Sequence, residues 1–314
     1  MLSPRDIKRK IKSVGNTKQI TKAMEMVSAA KMRRSQQVAL QSRPYCESAL
    51  ELLGNLSWRA GYKYHPLLVT RPIKKKVLIV ITSDKGLCGG LNSNVLKKSL
   101  RYLEENSDKS DKRVDIITIG RKARDYLAWR GYNIRAEFTK IGDLVKVEDT
   151  AHIAALIMDL YKEEEYDLIA AIYTNFISTL KQEVVLRQVL PISIEGIKEI
   201  VSGIVPKQGR YAELEDNKKT IKETSFWNYE YKLEPSAKEV LNELLPGLLK
   251  IQIYHMILEA NASEHSARMV AMKNASENAE KLINELAIIY NKLRQSAITK
   301  EISEITAGRE ALNV

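Results

Sequence analysis

From Leu249 onward, Leu249, Ile253, Met256, Ala260, Ser263, Ala267 and Val270 fall at alternating steps of four and three. After one five-residue step the alternation continues through Ala275, Ala279, Leu282, Leu286, Ile289, Leu293 and Ser296. A period of 3.5 sustained this far is a coiled-coil seam, and a seam requires a second helix against it. The N-terminal segment supplies one. Between Ser3 and Arg59 the apolar residues Ile7, Ile11, Val14, Ile20, Met24 and Val27 recur mostly at three- and four-residue steps, and Ser3, Pro4 and Asp6 form a helix start. The pattern predicts an antiparallel coiled coil within one chain. Leu248–Leu312 is 65 residues and Ser3–Arg59 is 57, so at ~1.5 Å per residue the helices span roughly 97 Å and about 85 Å. Both exceed the width of a globule, which predicts a globular head on a two-helix shaft holding both chain ends.

The residues between these helices have another character. Lys76–Thr82 (KVLIVIT), Val114–Gly120 (VDIITIG) and Asp167–Tyr173 (DLIAAIY) are short β-branched runs, separated by helical patterns at Asn94–Glu105, Arg121–Trp129 and Glu148–Glu164. Strands alternating with helices predict a parallel sheet with right-handed crossovers and both faces covered. Lys181–Ile192 adds a further strand or an amphipathic edge strand. From Glu195 to Pro235 the chain is polar and reads as an insert. The expected division is 1–60 for the first helix, 73–195 for a Rossmann-like domain, 196–235 for the insert and 236–314 for the last helix. Ala260, Ser263, Ala267, Ala275 and Ala279 are small, so each seam layer there buries little apolar area and the shaft relies on outside contacts for full order.

Composition narrows the function only weakly. A formal charge of +11 asks for an acidic partner surface, which nucleic acid, anionic lipid and acidic protein all provide. Cys46 and Cys88 are too few for a disulfide framework or a zinc site, and a reducing compartment fits best. The basic start, Met1–Lys12, lacks the apolar stretch of a secretory signal, and the longest clean apolar run, Val77–Ile81, is far below the ~18 residues of a membrane span.

The glycine-rich turn Ser83–Asn92 (SDKGLCGGLN) follows a strand and precedes a helix, where a phosphate cradle is sometimes built. Its spacing matches neither GxxxxGK[ST] nor GxGxxG, so a structural turn is preferred over a nucleotide site, with Cys88 a small buried residue rather than a nucleophile. His65, His152, His255 and His265 show no metal or triad pattern, and Glu163, Glu164 and Glu165 read as a solvated run. No cofactor is expected. Met1–Arg34 carries ten Lys or Arg against Asp6 and Glu25, either a solvated face or a binding surface. No aromatic residue interleaves these charges before Tyr45, which argues against a platform for stacked bases.

Three separated stretches carry a family resemblance. Ile7–Lys31 (IKRKIKSVGNTKQITKAMEMVSAAK), the turn Ser83–Asn92, and the run from Ala262 through Glu304 that contains SARM, RQSAIT and EISE together resemble the γ subunit of F-type ATP synthases. The resemblance implies a non-catalytic rotor shaft that passes through three α and three β subunits, couples proton translocation to ATP synthesis or hydrolysis, and binds ε and the membrane ring of c subunits. It implies a peripheral place at the cytoplasmic face of the bacterial plasma membrane. By motif, Met24 faces the acidic lever loop of a β subunit. Arg268, Gln295, Thr299, Glu301 and Glu304 then tie the two helices and meet β.

Two departures stand out. Gly308 is followed by Arg309 where the family pattern has alanine, and the insert from about Ile197 to Thr224 is longer than the usual bacterial connection and lacks the cysteine pair of the plant redox switch. Deleting Val201–Lys222 is expected to leave assembly intact. Two other readings compete: a basic coiled-coil scaffold binding nucleic acid, marked by steep salt dependence, and an α/β nucleotide enzyme with a helical appendage, marked by bound nucleotide.

Overall fold

The computed structural model describes residues 3–56, 65–106, 114–142, 145–193, 234 and 236–312. The insert expected between Ile197 and Thr224 lies outside them. The elements in order are α1 (Pro4–Leu56), β1 (Lys76–Ile81), α2 (Leu91–Asn106), β2 (Val114–Ile119), α3 (Arg121–Trp129), β3 (Ile134–Phe138), α4 (Val147–Lys162), β4 (Leu168–Phe176), β5 (Gln182–Leu190) and α5 (Ala237–Leu312). By their contacts they form two units: Met1–Ser28 with Arg268–Val314, and Ala29–Ala267.

In the larger unit the strands form one sheet in the order β3-β2-β1-β4-β5. The first four are parallel, as the alternation of strands and helices requires, while β5 pairs antiparallel with β4. The β4–β5 connection is a short turn, in which Lys181 N donates to Ser178 O at 3.3 Å, and a turn that tight permits only antiparallel return. β1 is central, so every residue from Val77 to Ile81 is buried. Its alternation assigns the two cores. Val77, Ile79 and Ile81 pack with α4, α5 and the Ala39–Ala49 stretch of α1, whereas Leu78 and Val80 pack with α2 and α3. The doubly covered sheet predicted from KVLIVIT is therefore present.

One strand, β3, is absent from the sequence reading. Ile134, Ala136 and Phe138 are only half-buried and alternate with exposed Arg135 and Glu137, the pattern of an edge strand too short and too polar to stand out. The prolines also behave unlike breakers: Pro44 lies inside α1 and Pro246 inside α5. Tertiary packing overrides the lost donor at Pro246, since Leu245, Leu248 and Leu249 belong to the main core. A Cβ on the adjacent Gly247 would stand 3.3 Å from the Tyr45 hydroxyl, so glycine admits α1 there.

Buried polar groups stitch α5 to its surroundings in this unit. Ser42 Oγ and His255 Nε2 are 2.8 Å apart, Ser263 Oγ donates to Thr174 O at 3.1 Å, and Ser266 Oγ donates to Thr179 O at 2.7 Å. Burial holds His255 neutral, lowering its pKa to about 4. Glu259 is forced the other way, to about 7, because desolvation outweighs the pull of nearby Arg187 and the Tyr173 phenol. Among the described residues no cluster of His, Cys, Asp or Glu could hold a metal ion.

Candidate functional site

The smaller unit is a helix pair. In α1 the residues at 7, 11, 14, 18, 21, 25 and 28 are all buried or half-buried, and in α5 those at 272, 276, 279, 283, 286, 290 and 293 are. Both sets alternate steps of four and three, the signature of knobs-into-holes packing. Two contacts fix direction and register: Thr21 Oγ1 to Ser276 Oγ at 2.7 Å, and Lys18 Nζ to Glu280 Oε1 at 2.9 Å. Residue numbers fall along one helix as they rise along the other, so the pair is antiparallel.

The seam differs from the predicted one in a specific way. Leu282 and Ile289, placed in it from periodicity, are 43% and 45% exposed, and Ile283 and Tyr290 take their places. Likewise Ile20 and Val27 of α1 are 60% and 53% exposed, whereas Lys18, Thr21 and Glu25 occupy heptad positions. Apolar residues sit on both sides of these turns, so a one-dimensional pattern cannot choose between adjacent registers. The result is an inverted distribution in which polar side chains line part of the seam while Ile20, Met26 and Val27 face outward.

Farther along, α5 outruns its partner. With Thr21 opposite Ser276, Pro4 at the start of α1 falls opposite about position 293, and every described residue from Arg294 to Arg309 is exposed. Ile298, Ile302 and Ile305 form a stripe at steps of four and three on this stretch. These three isoleucines leave apolar surface exposed along one side of this stretch.

The residues singled out from the sequence are spread along this unit. Met24 is half-buried on α1, and Arg268 is buried at the first residue of the α5 segment. Gln295, Thr299, Glu301 and Glu304 are exposed, beyond the start of α1, and Glu304 meets Lys300 at 3.6 Å. Arg268 and Glu304 stand roughly 54 Å apart by helix rise, so they form no single site. Two ties between the helices are Thr21–Ser276 and Lys18–Glu280. Sequence reasoning passed these over because hydroxyl and charged residues at heptad positions carry no periodic apolar signal.

In the larger unit the turn 83–92 is closed upon itself. Asn92 Oδ1 accepts from Ser83 N at 3.1 Å and Asn92 Nδ2 donates to Ser83 Oγ at 2.7 Å. The first three amides of α3 are satisfied in place: Arg121 N by Asp84 Oδ1 at 2.9 Å, Lys122 N by Ser83 O at 3.2 Å, and Ala123 N by Thr82 Oγ1 at 2.8 Å. The amides at the start of α3 are therefore not open to a phosphate, and Cys88 is buried. Of the acidic run, Glu164 meets Arg71 at 3.7 Å and Glu165 meets Arg135 at 3.1 Å, so two of the three are in ion pairs rather than merely solvated.

A family model described as ATP synthase matches residues 3–312. An ATP synthase gamma chain of Pelotomaculum thermopropionicum is 41% identical over 312 residues, covering 99% of this chain and 100% of the relative. The chain belongs to the ATP synthase γ-chain family. A γ chain of Roseiflexus castenholzii is also 41% identical, with 99% of each covered. Among solved structures, a chain in the central stalk and c-ring of the Tetrahymena thermophila mitochondrial ATP synthase aligns with TM-score 0.57 at 24% identity, covering 82% of this chain and 99% of that one. A chain of the Euglena gracilis enzyme, in a structure of its OSCP, F1 and c-ring parts, gives TM-score 0.62 at 19% identity, with 98% and 94% covered. These two likenesses concern the fold. As a γ chain this protein is the central rotor shaft of an ATP synthase, a component of that enzyme complex, and among its described residues no helix is long and apolar enough to cross a membrane.

Proposed function

We propose that this γ chain transmits rotation through the helix pair of its smaller unit, turning inside three α and three β subunits while its α/β unit binds ε and the c ring. The observation that carries this reading is the inverted helix pair, with Ile20, Met26 and Val27 outward on α1 and Ile298, Ile302 and Ile305 outward on α5. Side chains so placed stabilise the pair only when an enclosing partner removes them from water.

A single asymmetric shaft cannot present the same face to three identical subunits. Each is biased toward a different conformation, and turning the shaft moves the bias around the ring. Taking a two-state subunit from 1:99 to 99:1 needs about 5.5 kcal/mol of differential contact, within reach of a few packed and charged contacts. Met24 meets the lever loop, and Arg268, Gln295, Thr299, Glu301 and Glu304 meet β at different heights. The basic excess of Met1–Arg34 guides an acidic loop onto α1, and screening by salt lets it slip. The chemistry stays in the ring and the chain itself is not a catalyst. Its functional segments are 1–60, 73–195, 196–235 and 236–314, and its place is the cytoplasmic face of a bacterial plasma membrane, where it couples protons to ATP.

The test is rotation-coupled turnover of the purified complex with Met24→Lys. Altered coupling in a complex that still assembles supports the reading, and wild-type coupling sinks the role of Met24.

A further inference from the structure

The two faces of the sheet are covered unequally. α4 and α5 pack on one, while among the described helices α2 and α3 alone pack on the other, α2 over β1 and β4 and α3 over β2 and β3. Helices in a layer stand about 10 Å apart and strands about 4.8 Å, so the next place in that layer lies beside α2, over β5. There the structure has a groove of about 450 Å³. Ile172 and Val184 form its floor, and Leu186, on the same face of β5 as Val184, is 42% exposed.

The wall of this groove is basic. Lys97 and Arg101 are a turn apart on α2 and exposed, and among the described residues neither forms an ion pair. Lys98 between them is committed, since its Nζ donates to Val184 O at 2.6 Å. Glu105, a turn beyond Arg101, is the one acid among the described lining residues, so the wall keeps an excess of positive charge.

The contacts of β5 decide what kind of partner fits. It is an edge strand, yet Val184 O is engaged by Lys98 and Gln188 O accepts from Gln252 Nε2 at 3.3 Å, which disfavours pairing with an added strand. Half-buried Tyr102 is the one aromatic residue among the described lining residues, so stacked bases have no platform. A helix fits both the space and the charge: an apolar stripe at steps of three and four covers Ile172, Val184 and Leu186, and carboxylates on its flank meet Lys97 and Arg101. We propose that this groove seats an amphipathic helix of another subunit, one carrying Asp or Glu beside its apolar stripe. The proposal rests on the rotor reading for the complex that supplies the partner. Burial of Leu186 contributes the apolar part, and the exposed charges steer docking, so occupancy weakens as salt rises.

Leu186→Cys supplies the readout. Alkylation by N-ethylmaleimide is followed by mass spectrometry of the peptide carrying position 186, in the purified full chain and in the complex assembled with the other subunits of its own source. The expected result is alkylation slower by about tenfold or more in the complex. Reversing the wall with Lys97→Glu and Arg101→Glu should return the rate to that of the isolated chain. With the wall intact, a carbodiimide should join Lys97 to an Asp or Glu of the seated helix. Equal rates in chain and complex overturn the proposal, and so does a slowing that charge reversal leaves untouched, because it denies an acidic partner. A rate in the isolated chain as slow as that of buried Cys88 shows that the chain covers the groove itself, which also overturns it. Equal slowing of the isolated chain by phosphatidylglycerol vesicles assigns the groove to lipid and overturns it too. A chain that joins no complex overturns the rotor reading and this proposal with it, whereas an assembled complex with a reactive position 186 overturns this proposal alone.

Discussion

Thr21 Oγ1 and Ser276 Oγ meet at 2.7 Å across the helix pair, at heptad positions that a self-sufficient coiled coil fills with aliphatic side chains. Thr21 also donates or shares its hydroxyl with Thr17 O and Lys18 O, both near 3 Å, so it stays partnered without Ser276. A single Ser276→Ala substitution should destabilise the isolated chain by about 1 kcal/mol, whereas Thr21→Val with Ser276→Ala should be neutral or stabilising. Urea unfolding of the four members of this cycle gives the coupling. Strict additivity of the two single changes would contradict a direct contact.

The Lys18–Glu280 pair a turn away should matter far less. Its side chains are 36% and 59% exposed, so solvent screens the 2.9 Å contact. Lys18→Gln is expected to shift stability by less than about 0.5 kcal/mol, a value readable from the urea midpoint, and a loss several times larger would assign this pair a weight its exposure denies.

Gly120→Ala tests the strand-end geometry. The substitution combines a left-handed backbone with a Cβ 2.0 Å from Thr82 O, and the atom it meets is backbone, so relief requires moving β1 or β2. The expected loss is about 3 kcal/mol or more. A variant within about 0.5 kcal/mol of wild type would show that the β1–β2 ends are looser than they stand here.

Two buried groups give the α/β unit opposed responses to pH. His255 falls from 6.5 to about 4, so its contribution is whole above pH 6.5 and is lost as pH drops toward 4. Glu259 rises from 4.5 to about 7, so its contribution is whole below pH 4.5 and is lost as pH climbs toward 7. Each gap of about 2.5 in pKa corresponds to about 3 kcal/mol, and across pH 4.5–6.5 the two slopes largely cancel. Removing Glu259 should uncover the other. Glu259→Gln is predicted to lose stability as pH falls from 6.5 to 4.5 while wild type stays nearly level, and parallel profiles would refute the buried titration of Glu259.

These elements differ in how far the residues alone announce them. KVLIVIT, VDIITIG and DLIAAIY are buried on both faces and declare their strands by composition. β3 does not, because Ile134, Ala136 and Phe138 are half-covered and flanked by charge. The pairing of the two long helices is legible in the 3.5 period, but its register is not. Leu282 and Ile283, or Ile289 and Tyr290, serve a one-dimensional pattern equally, and the choice falls to the partner's heptad of Ile7, Ile11 and Val14. The contacts Thr21–Ser276 and Asp84–Lys140 leave no periodic trace, since each joins residues far apart in the chain through a single polar group.

The unpaired end of α5 has its own expectation. Ile298, Ile302 and Ile305 are 48%, 59% and 69% exposed. Ile302→Asp should leave the isolated chain's stability within about 0.5 kcal/mol of wild type, as surface changes do, while weakening its retention in an assembled complex. A large loss of stability in the isolated chain would mean that the stripe is already buried by this chain itself.

The central claim is tested most directly by co-expressing the chain with α and β subunits from its own source, purifying what forms, and measuring subunit ratio and ATP turnover with wild type and Met24→Lys. The account predicts a complex with one copy of this chain to three α and three β, whose turnover or coupling changes when Met24 becomes lysine. A chain that elutes alone, apart from a ring that forms without it, would contradict the account.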